Sequence, residues 1–562
     1  MPVSPLKALP PLDPHSIRLI PLGGLGEIGM NCLAIEQVDG VLVIDCGTSF
    51  PHDDLGVDVI HPDFSWLVEN ASRVAGVFLT HGHEDHVGGL PYLLADLAVP
   101  VWGPPHAIGL ARQRLNEHEL GDADLRTAEA GRSYGVGPFE IEPVRVTHSI
   151  VEASALRIRT RAGVILHTGD FNLDPDPPDG EPTDEERLRQ IGDETVNLLL
   201  SDSTNIDVAD RPGSERAVGA ALERLVSKAT ARVFVVMFAS NVQRLMLLGD
   251  IAQRAGRKLC LLGRSLNTQV EIARRIRRLD WPSDLVISAD QARTFPRDEL
   301  LVLAGGSQAE RNSAMRRIAG GTYPYMEIEA GDDVILSSRI IPGNERGVFE
   351  MMADLLRRGV HLHSRISDPD VHTSGHAGRS EQLRMLELTR PRAFLPVHGT
   401  LHHLLRHAEL ARSWGVAETL VIENGRVARF DGASLVDEGQ VPHGKVAVAI
   451  GGEPMTEEAL RRRAELGRAG LITVALAVDD RLELLAPPEL RARGVPGIDD
   501  EPRATRQLAA EIARRIERVR TQRNADIEEE VRRAIRRRVF DLCGGRPVVE
   551  VQLVRLPGEV AR

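Results

Sequence analysis

Thr80-His81-Gly82-His83-Glu84-Asp85-His86 places three imidazoles and the Asp85 carboxylate within six residues. Imidazole and carboxylate are hard-to-borderline ligands that suit zinc or manganese. Alternate residues of an extended turn point the same way, so His81 and His83 can share one ion while Asp85 and His86 serve a second. Residues 76–80 (Gly-Val-Phe-Leu-Thr) read as a short buried strand, and 87–97 as a helix that opens with two glycines. The ligands therefore sit on a strand-to-helix loop, where polar side chains converge on a cleft. The pattern predicts a metallohydrolase on an α/β scaffold.

The chain has 562 residues, 42% hydrophobic and 27% charged, which is ordinary globular composition for two to four domains. Cys32, Cys46, Cys260 and Cys543 lie far apart without a CxxC pair, against a disulfide framework or a cysteine zinc knuckle and in favour of a reducing cytoplasm. No apolar run is long enough to span a bilayer, and the opening Met1-Pro2-Val3-Ser4-Pro5 lacks the regions of a signal peptide, so no membrane partner is expected. A net charge of −13 does not exclude nucleic acid, because binding follows the local potential along a groove.

Residues 1–16 read as a proline-rich tail. Over 17–215 short strands (17–21, 32–35, 41–45, 77–80, 139–147, 164–168 and 198–202) alternate with Gly, Pro and Asp turns, predicting two β-rich layers with flanking helices. The proline- and acid-rich 175–186 reads as an exposed loop. Over 216–367 strand-then-helix units follow one another (232–238 with 242–255, 258–262 with 269–279, 300–303 with 308–318), the mark of a parallel sheet covered by helices. Residues 368–447 return to histidine-bearing loops and rejoin the first domain, which makes the middle segment an insertion. Residues 448–468 read as a linker with a helix over 453–468, and 469–562 as a small domain with strands at 472–478, 481–486 and 548–553. In that domain Leu508, Ile512, Ile516 and Val519 form one apolar helix stripe.

Two ions need more ligands than one loop supplies. Val146-Thr147-His148, His167-Thr168-Gly169-Asp170 and Pro396-Val397-His398-Gly399 each place a ligand just past an apolar strand. One ion would take His81, His83, His148 and Asp170; the other would take Asp85, His86, His398 and the second oxygen of Asp170. A bridging carboxylate holds two ions roughly 3.5–4 Å apart, and a water between them would lose its proton at a pH of about 7. That hydroxide is the expected nucleophile, so no serine or cysteine nucleophile is required. The glycines of 23–29 form no Walker A motif and read as a turn beside the site.

The 80–86 run with His148, Asp170 and His398 resembles the metallo-β-lactamase superfamily. Further motifs narrow the resemblance to its β-CASP branch: Ser201-Asp202-Ser203-Thr204-Asn205, Phe238-Ala239-Ser240-Asn241, Gly263-Arg264-Ser265, Gly306-Ser307-Gln308, Ile341-Pro342-Gly343-Asn344 and His372-Thr373-Ser374-Gly375-His376. With the opening Leu22-Gly23-Gly24-Leu25-Gly26-Glu27-Ile28-Gly29 they make the chain similar to the bacterial ribonuclease J family over 17–440, and more loosely beyond.

The resemblance implies a metallo-β-lactamase αββα sandwich, an inserted parallel-sheet β-CASP domain and a small α/β C-terminal domain that dimerises. It implies two divalent ions per subunit, Zn2+ or Mn2+ or both, and 5′→3′ exonuclease and endonuclease activity on single-stranded RNA in mRNA decay and rRNA processing. RNA with a 5′-monophosphate would be preferred, within a homodimer or larger homo-oligomer and beside partners from an RNA-decay complex. His376 would contact the scissile phosphate, and Asp202 would orient His398 or help proton transfer to the leaving oxygen. Ser240, Asn241, His372, Thr373, Ser374, Gly375 and His376 would hold substrate phosphates, including the terminal one. In such a pocket glycine lets backbone amides approach an anion, and hydroxyl and imidazole donors complete the cradle.

Two places depart from the family pattern. Gly305-Gly306-Ser307-Gln308-Ala309-Glu310 replaces Thr-Gly-Ser-Gln-Gly-Glu, and an extra structural cation at Gly56 and Asp58 lacks its later acidic partner, since Ile450-Gly451-Gly452 stands there. The alternative from another substrate class is a small-molecule thioester or lactam hydrolase using the same metals, and the insertion of 216–367 speaks against it. A non-catalytic RNA-binding scaffold is disfavoured by the complete ligand set.

Overall fold

A computed structural model of the chain describes residues 9–51, 55–211, 213–499, 501–520 and 526–556. Eight of the expected tail residues, 1–8, lie outside it, and 9–16 form neither helix nor strand.

Two sheets stack face to face. The first runs in the order Leu435–Gln440, Arg426–Phe430, Ile17–Gly23, Cys32–Gln37, Gly40–Ile44, Val74–Phe78, Val101–Gly103 and Leu125–Thr127. The second runs Glu418–Thr419, Ala393–Val397, Leu198–Asp202, Gly163–His167, Ser154–Thr160, Phe139–Arg145 and Tyr134–Val136. Ile17, Leu19, Ile35 and Phe78 of one sheet meet Ile141, Ile158, Leu198 and Leu395 of the other in a single buried core. The outer faces are covered by helices: Leu90, Leu93 and Ala111 pack on the first sheet, and Ile191, Met385 and Leu410 on the second. The result is the expected αββα sandwich, because strands apolar on both faces need covering on both.

The six strands from Val233–Val236 to His361–Ser364 form a separate sheet, parallel throughout, in the order Val286–Ile287, Lys258–Leu262, Leu300–Ala304, Val233–Val236, Asp333–Leu336 and His361–Ser364. The chain before and after this stretch feeds the sandwich. Several expected elements differ. Residues 87–97 are two short helices, Glu84–Val87 and Leu90–Asp96, broken at the glycine pair. The helix expected over 308–318 is confined to Ala314–Ala319, because Gln308 turns its amide onto the Arg339 carbonyl and the Ile341 N–H. The 175–186 loop is only partly exposed, with Pro177 and Thr183 buried.

The C-terminal unit pairs Leu471–Val478 with Glu489–Arg493 and Val548–Arg555. The strand expected over 481–486 is not formed: Asp479 accepts the Arg481 and Glu483 N–H groups in a turn, Leu482 has φ 61°, and the strand begins only after Pro487-Pro488. The linker helix starts at Glu457–Ala469, capped by the Thr456 hydroxyl. The apolar stripe of Pro502–Val519 is buried as expected, against Ile527–Cys543 and the sheet. No helix among the described residues is long and apolar enough to cross a membrane.

Candidate metal centre

The ligands gather at the ends of strands from both sheets of the sandwich. Val74–Phe78 leads into the 80–86 loop, Gly163–His167 into Asp170, Leu198–Asp202 ends at Asp202, and Ala393–Val397 delivers His398. His398 takes a left-handed backbone (φ 51°), as does Asp45 at the end of Gly40–Ile44 (φ 59°). Non-glycine residues tolerate this only where their surroundings enforce it, as at functional sites.

His81 Nε2 and His148 Nε2 each lie 3.1 Å from His83 Nδ1, and Asp170 Oδ2 stands 3.8 and 3.9 Å from the first two. The same oxygen is 3.2 Å from His86 Nε2, while Asp85 Oδ2 is 3.7 Å from His86 Nε2 and 3.6 Å from His398 Nε2. All seven predicted ligands thus converge, in one set of His81, His83 and His148 and another of Asp85, His86, Asp170 and His398; Asp170, expected in both, belongs to the second and reaches the first only at 3.8–3.9 Å. A third set joins Asp170, Asp202, His376 and His398.

These residues fit metal ions by their own chemistry. Ligand bonds of about 2.0–2.1 Å in a tetrahedron put neighbouring donors about 3.3 Å apart, close to the spacing here. His398 Nε2 is buried without a hydrogen-bond partner among the described residues. The outer nitrogens are already committed. His86 Nδ1 donates to Asp45 Oδ2 at 2.8 Å, His81 Nδ1 to Thr80 Oγ1 at 3.0 Å and His148 Nδ1 to the Gly375 carbonyl at 2.7 Å. Such partners fix each tautomer so that Nε2 faces the cleft.

The charges agree. Burial holds His81 and His83 well below the usual histidine range and His148 down to about 4, which keeps them neutral donors. Burial also opposes charge on His398, yet Asp170 and Asp85 push it up to about 10. Asp170 itself is held well below the carboxylate range: burial works against it, but His398 and His86 prevail. Clustered buried carboxylates demand a cation, and divalent metal is the one this donor set selects.

The 372–376 loop lies against the cluster. His376 Nδ1 is 2.9 Å from Asp202 Oδ2, and Asp202 Oδ1 accepts from the Thr204 backbone and hydroxyl. Asn205 Nδ2 donates to Ser374 Oγ at 2.8 Å and to the His376 carbonyl at 3.0 Å. Thr373 Oγ1 is buried and has no hydrogen-bond partner among the described residues. Gly375 has no room for a side chain, since a Cβ there would lie 2.7 Å from the Ser149 backbone nitrogen. Arg244 Nη1 donates to His372 Nδ1 at 3.2 Å.

Asn241 spends its side chain elsewhere, capping Val242–Arg254 through the Arg244 N–H and donating to Glu215; Ser240 is half-buried beside it. No ligating set forms around Gly56 and Asp58 among the described residues, and the Arg463 guanidinium donates to the neighbouring Leu55 carbonyl. Sequence reasoning gave no role to the supports Asp45, Asn205, Glu215 and Arg244. Asn205 closes the Ser201–Asn205 motif and Asp45 is another acid at the end of an apolar strand, whereas Glu215 and Arg244 carried no signal.

Four family models match: "Metallo-beta-lactamase superfamily" over 25–235, "Ribonuclease J, beta-CASP domain" over 230–355, "Zn-dependent metallo-hydrolase RNA specificity domain" over 369–421, and "Ribonuclease J C-terminal domain" over 458–556. A ribonuclease J of Helicobacter pylori (strain B128) is 36% identical over 94% of this chain and 79% of its own length. That of Sinorhizobium meliloti is 35% identical over 96% and 98%, and that of Mycobacterium tuberculosis (strain ATCC 25618 / H37Rv) 36% over 89% and 91%. A solved structure of a protein of unknown function from Enterococcus faecalis V583 shares the fold at TM-score 0.50 and 18% identity, covering 73% of this chain and 99% of that one. With its metal-ligating cleft, sandwich, β-CASP sheet and C-terminal domain, the chain belongs to the ribonuclease J family of metal-dependent ribonucleases.

Proposed function

We propose that the chain is a two-metal ribonuclease, using Zn2+ or Mn2+, that trims RNA 5′→3′ from monophosphorylated ends and also cuts internally. The observation that carries this reading is the 2.9 Å contact between His376 and Asp202, which fastens a loop rich in phosphate donors to the edge of the ligand cluster. When bound, the ions supply Lewis-acid stabilisation of phosphoryl charge and activate water near neutral pH.

The chain's own residues do the rest. Asp45, Thr80 and the Gly375 carbonyl hold His86, His81 and His148 in the tautomers that ligation needs. Asp202 fixes His376 through Nδ1, which leaves Nε2 to donate to a non-bridging oxygen of the scissile phosphate. Ser374 accepts from Asn205, so its own proton is free for the terminal phosphate, beside the buried Thr373 hydroxyl and His372. The inserted parallel-sheet domain supplies the other wall of a strand-sized channel, and the C-terminal domain, 469–562, serves homodimerisation.

The test is cleavage of 5′-monophosphorylated, 5′-triphosphorylated and 5′-hydroxyl RNA by the Mn2+- or Zn2+-loaded protein. Cleavage is expected to fall by more than about 10³-fold in His81→Ala, since one metal site contributes several kcal/mol. Ser374→Ala should keep its metal content but lose the preference for the 5′-monophosphate. An active His81→Ala protein would sink the metal assignment, and an unchanged preference in Ser374→Ala would sink the phosphate pocket.

A further inference from the structure

The β-CASP domain carries a cavity of about 250 Å³ that takes no part in the site above. Leu336, Val348 and Met352 give it an apolar lining, together with Ile366, which is 71% exposed. Arg339 and Arg365 complete its wall. Both arginines are exposed, and neither has a carboxylate partner among the described residues. In a chain with 81 acidic and 68 basic residues, two unneutralised guanidiniums over an apolar floor suit a ligand that is part anion and part planar base.

Hydrogen bonds place the cavity relative to the cleft. Asp202 holds His376, and Asn205 Nδ2 holds both the His376 carbonyl and Ser374 Oγ. Asn205 Oδ1 in turn accepts from Arg339 Nη1 at 3.0 Å. The order outward from the metal ligands is therefore Asp202, His376, Ser374 with Asn205, Arg339, and then the cavity. His372 feels the same surroundings: burial, then the charges of Arg244, Arg365 and Arg339, hold it well below the usual histidine range.

If Ser374 and its neighbours hold the terminal phosphate, as proposed above, the cavity lies beyond that phosphate as seen from the metals. A strand trimmed from its end stops before the cavity, whereas a strand cut internally must continue past it. We propose that this cavity is an upstream nucleotide subsite: Arg365 and Arg339 take a backbone phosphate, and the apolar floor takes the base of the nucleotide that precedes the terminal-phosphate position during internal cleavage.

The test compares closed-circular single-stranded RNA, which has no end, with the same sequence as linear 5′-monophosphorylated RNA. The enzymes are the metal-loaded full-length protein, Arg365→Ala and Ser374→Ala. Arg365→Ala should lose about tenfold more kcat/KM on the circle than on the linear RNA, the worth of one charge-assisted hydrogen bond. Ser374→Ala should show the opposite bias. Equal losses, no loss, or a wild type that leaves the circle intact while trimming the linear RNA would overturn the subsite. So would inhibition of trimming by free AMP that Arg365→Ala abolishes, since the cavity would then serve a mononucleotide effector. A wild type inactive on both RNAs would instead overturn the function proposed above.

Discussion

Two loops meet at His148, whose ring lies 3.1 Å from His83 Nδ1 on one side and 2.7 Å from the Gly375 carbonyl on the other, and they are held in place by different means. The 80–86 loop leans on its own neighbourhood: Asp45, 35 residues from Thr80 and 41 from His86, accepts from the Thr80 backbone, the Thr80 hydroxyl and the His86 ring. The 372–376 loop is held from afar, by Arg244 at a separation of 128 residues, Asn205 at 169 and 171, Asp202 at 174 and His148 at 227. The metal loop is thus a product of one sheet edge. The 372–376 loop is where the sandwich and the inserted domain are joined, so its placement relative to the ligand cluster depends on contacts that neither part makes alone.

The sharpest break in this comparison is Arg244. It is 1% exposed and donates to Glu215 at 2.6 and 3.1 Å, to the Ser337 carbonyl at 2.6 Å and to His372 Nδ1. Removing it in Arg244→Met strands the Glu215 carboxylate in the interior, at a cost of about 3–5 kcal/mol in denaturant unfolding. Glu215→Gln added to it should recover most of that stability. Activity on monophosphorylated RNA should not return, because a guanidinium that is always protonated holds Nδ1 of His372 as an acceptor and leaves Nε2–H for the phosphate. Full activity in the double variant would show that the long-range clasp serves folding alone.

The same contrast explains what could be read in advance. The 80–86 spacing, and the apolar strands that end at His148, Asp170 and His398, revealed the His/Asp cluster because a metal-type ligand following a strand needs only local pattern to be seen. The sandwich was legible in the same way. Arg244 and Glu215 were not, since their partners are set by the docking of distant elements and their own surroundings look like any polar helix end; Asn205 stood in a quoted motif, but its partners on the 372–376 loop could not be read from it. Asn241 shows the converse: its motif pointed to phosphate, but it precedes a helix and satisfies the Arg244 N–H as a cap. The 481–486 stretch had strand composition, and the turn closed by Asp479 overrode it.

A smaller effect should follow at the support of the metal loop. Asp45→Ala leaves the buried Thr80 N–H and the His86 ring without their acceptor, and loss of such an outer partner costs about 10–100-fold in metal affinity or activity. Because this support is local, the preference for a 5′-monophosphate should be untouched, in contrast to the Arg244 variants. Metal titration together with end-selective cleavage checks both halves, and a changed end preference would mean that the two loops are not independent.

The smallest effect is expected behind Asp202, the support of the 372–376 loop. His407 is fully buried, its Nδ1 3.0 Å from Ser203 Oγ and its ring 4.8 Å from that of Phe394. Burial, aided by Arg379 and opposed by Asp202, pushes it down to about 3. In the unfolded chain it titrates near about 6.5. Between those values the unfolded state binds the extra proton, so stability rises with pH and is lost as pH falls, by up to about 1.4 kcal/mol per pH unit from this residue. Other buried histidines add to the slope, so the measurement is a difference: unfolding free energy from pH 6.5 to 5.5 in wild type and in His407→Gln. The variant should lose less stability over that unit, by about 1 kcal/mol. Since Ser203 follows Asp202, which holds His376, acid should loosen the support of the 372–376 loop in the wild type; identical slopes would place that acid sensitivity elsewhere.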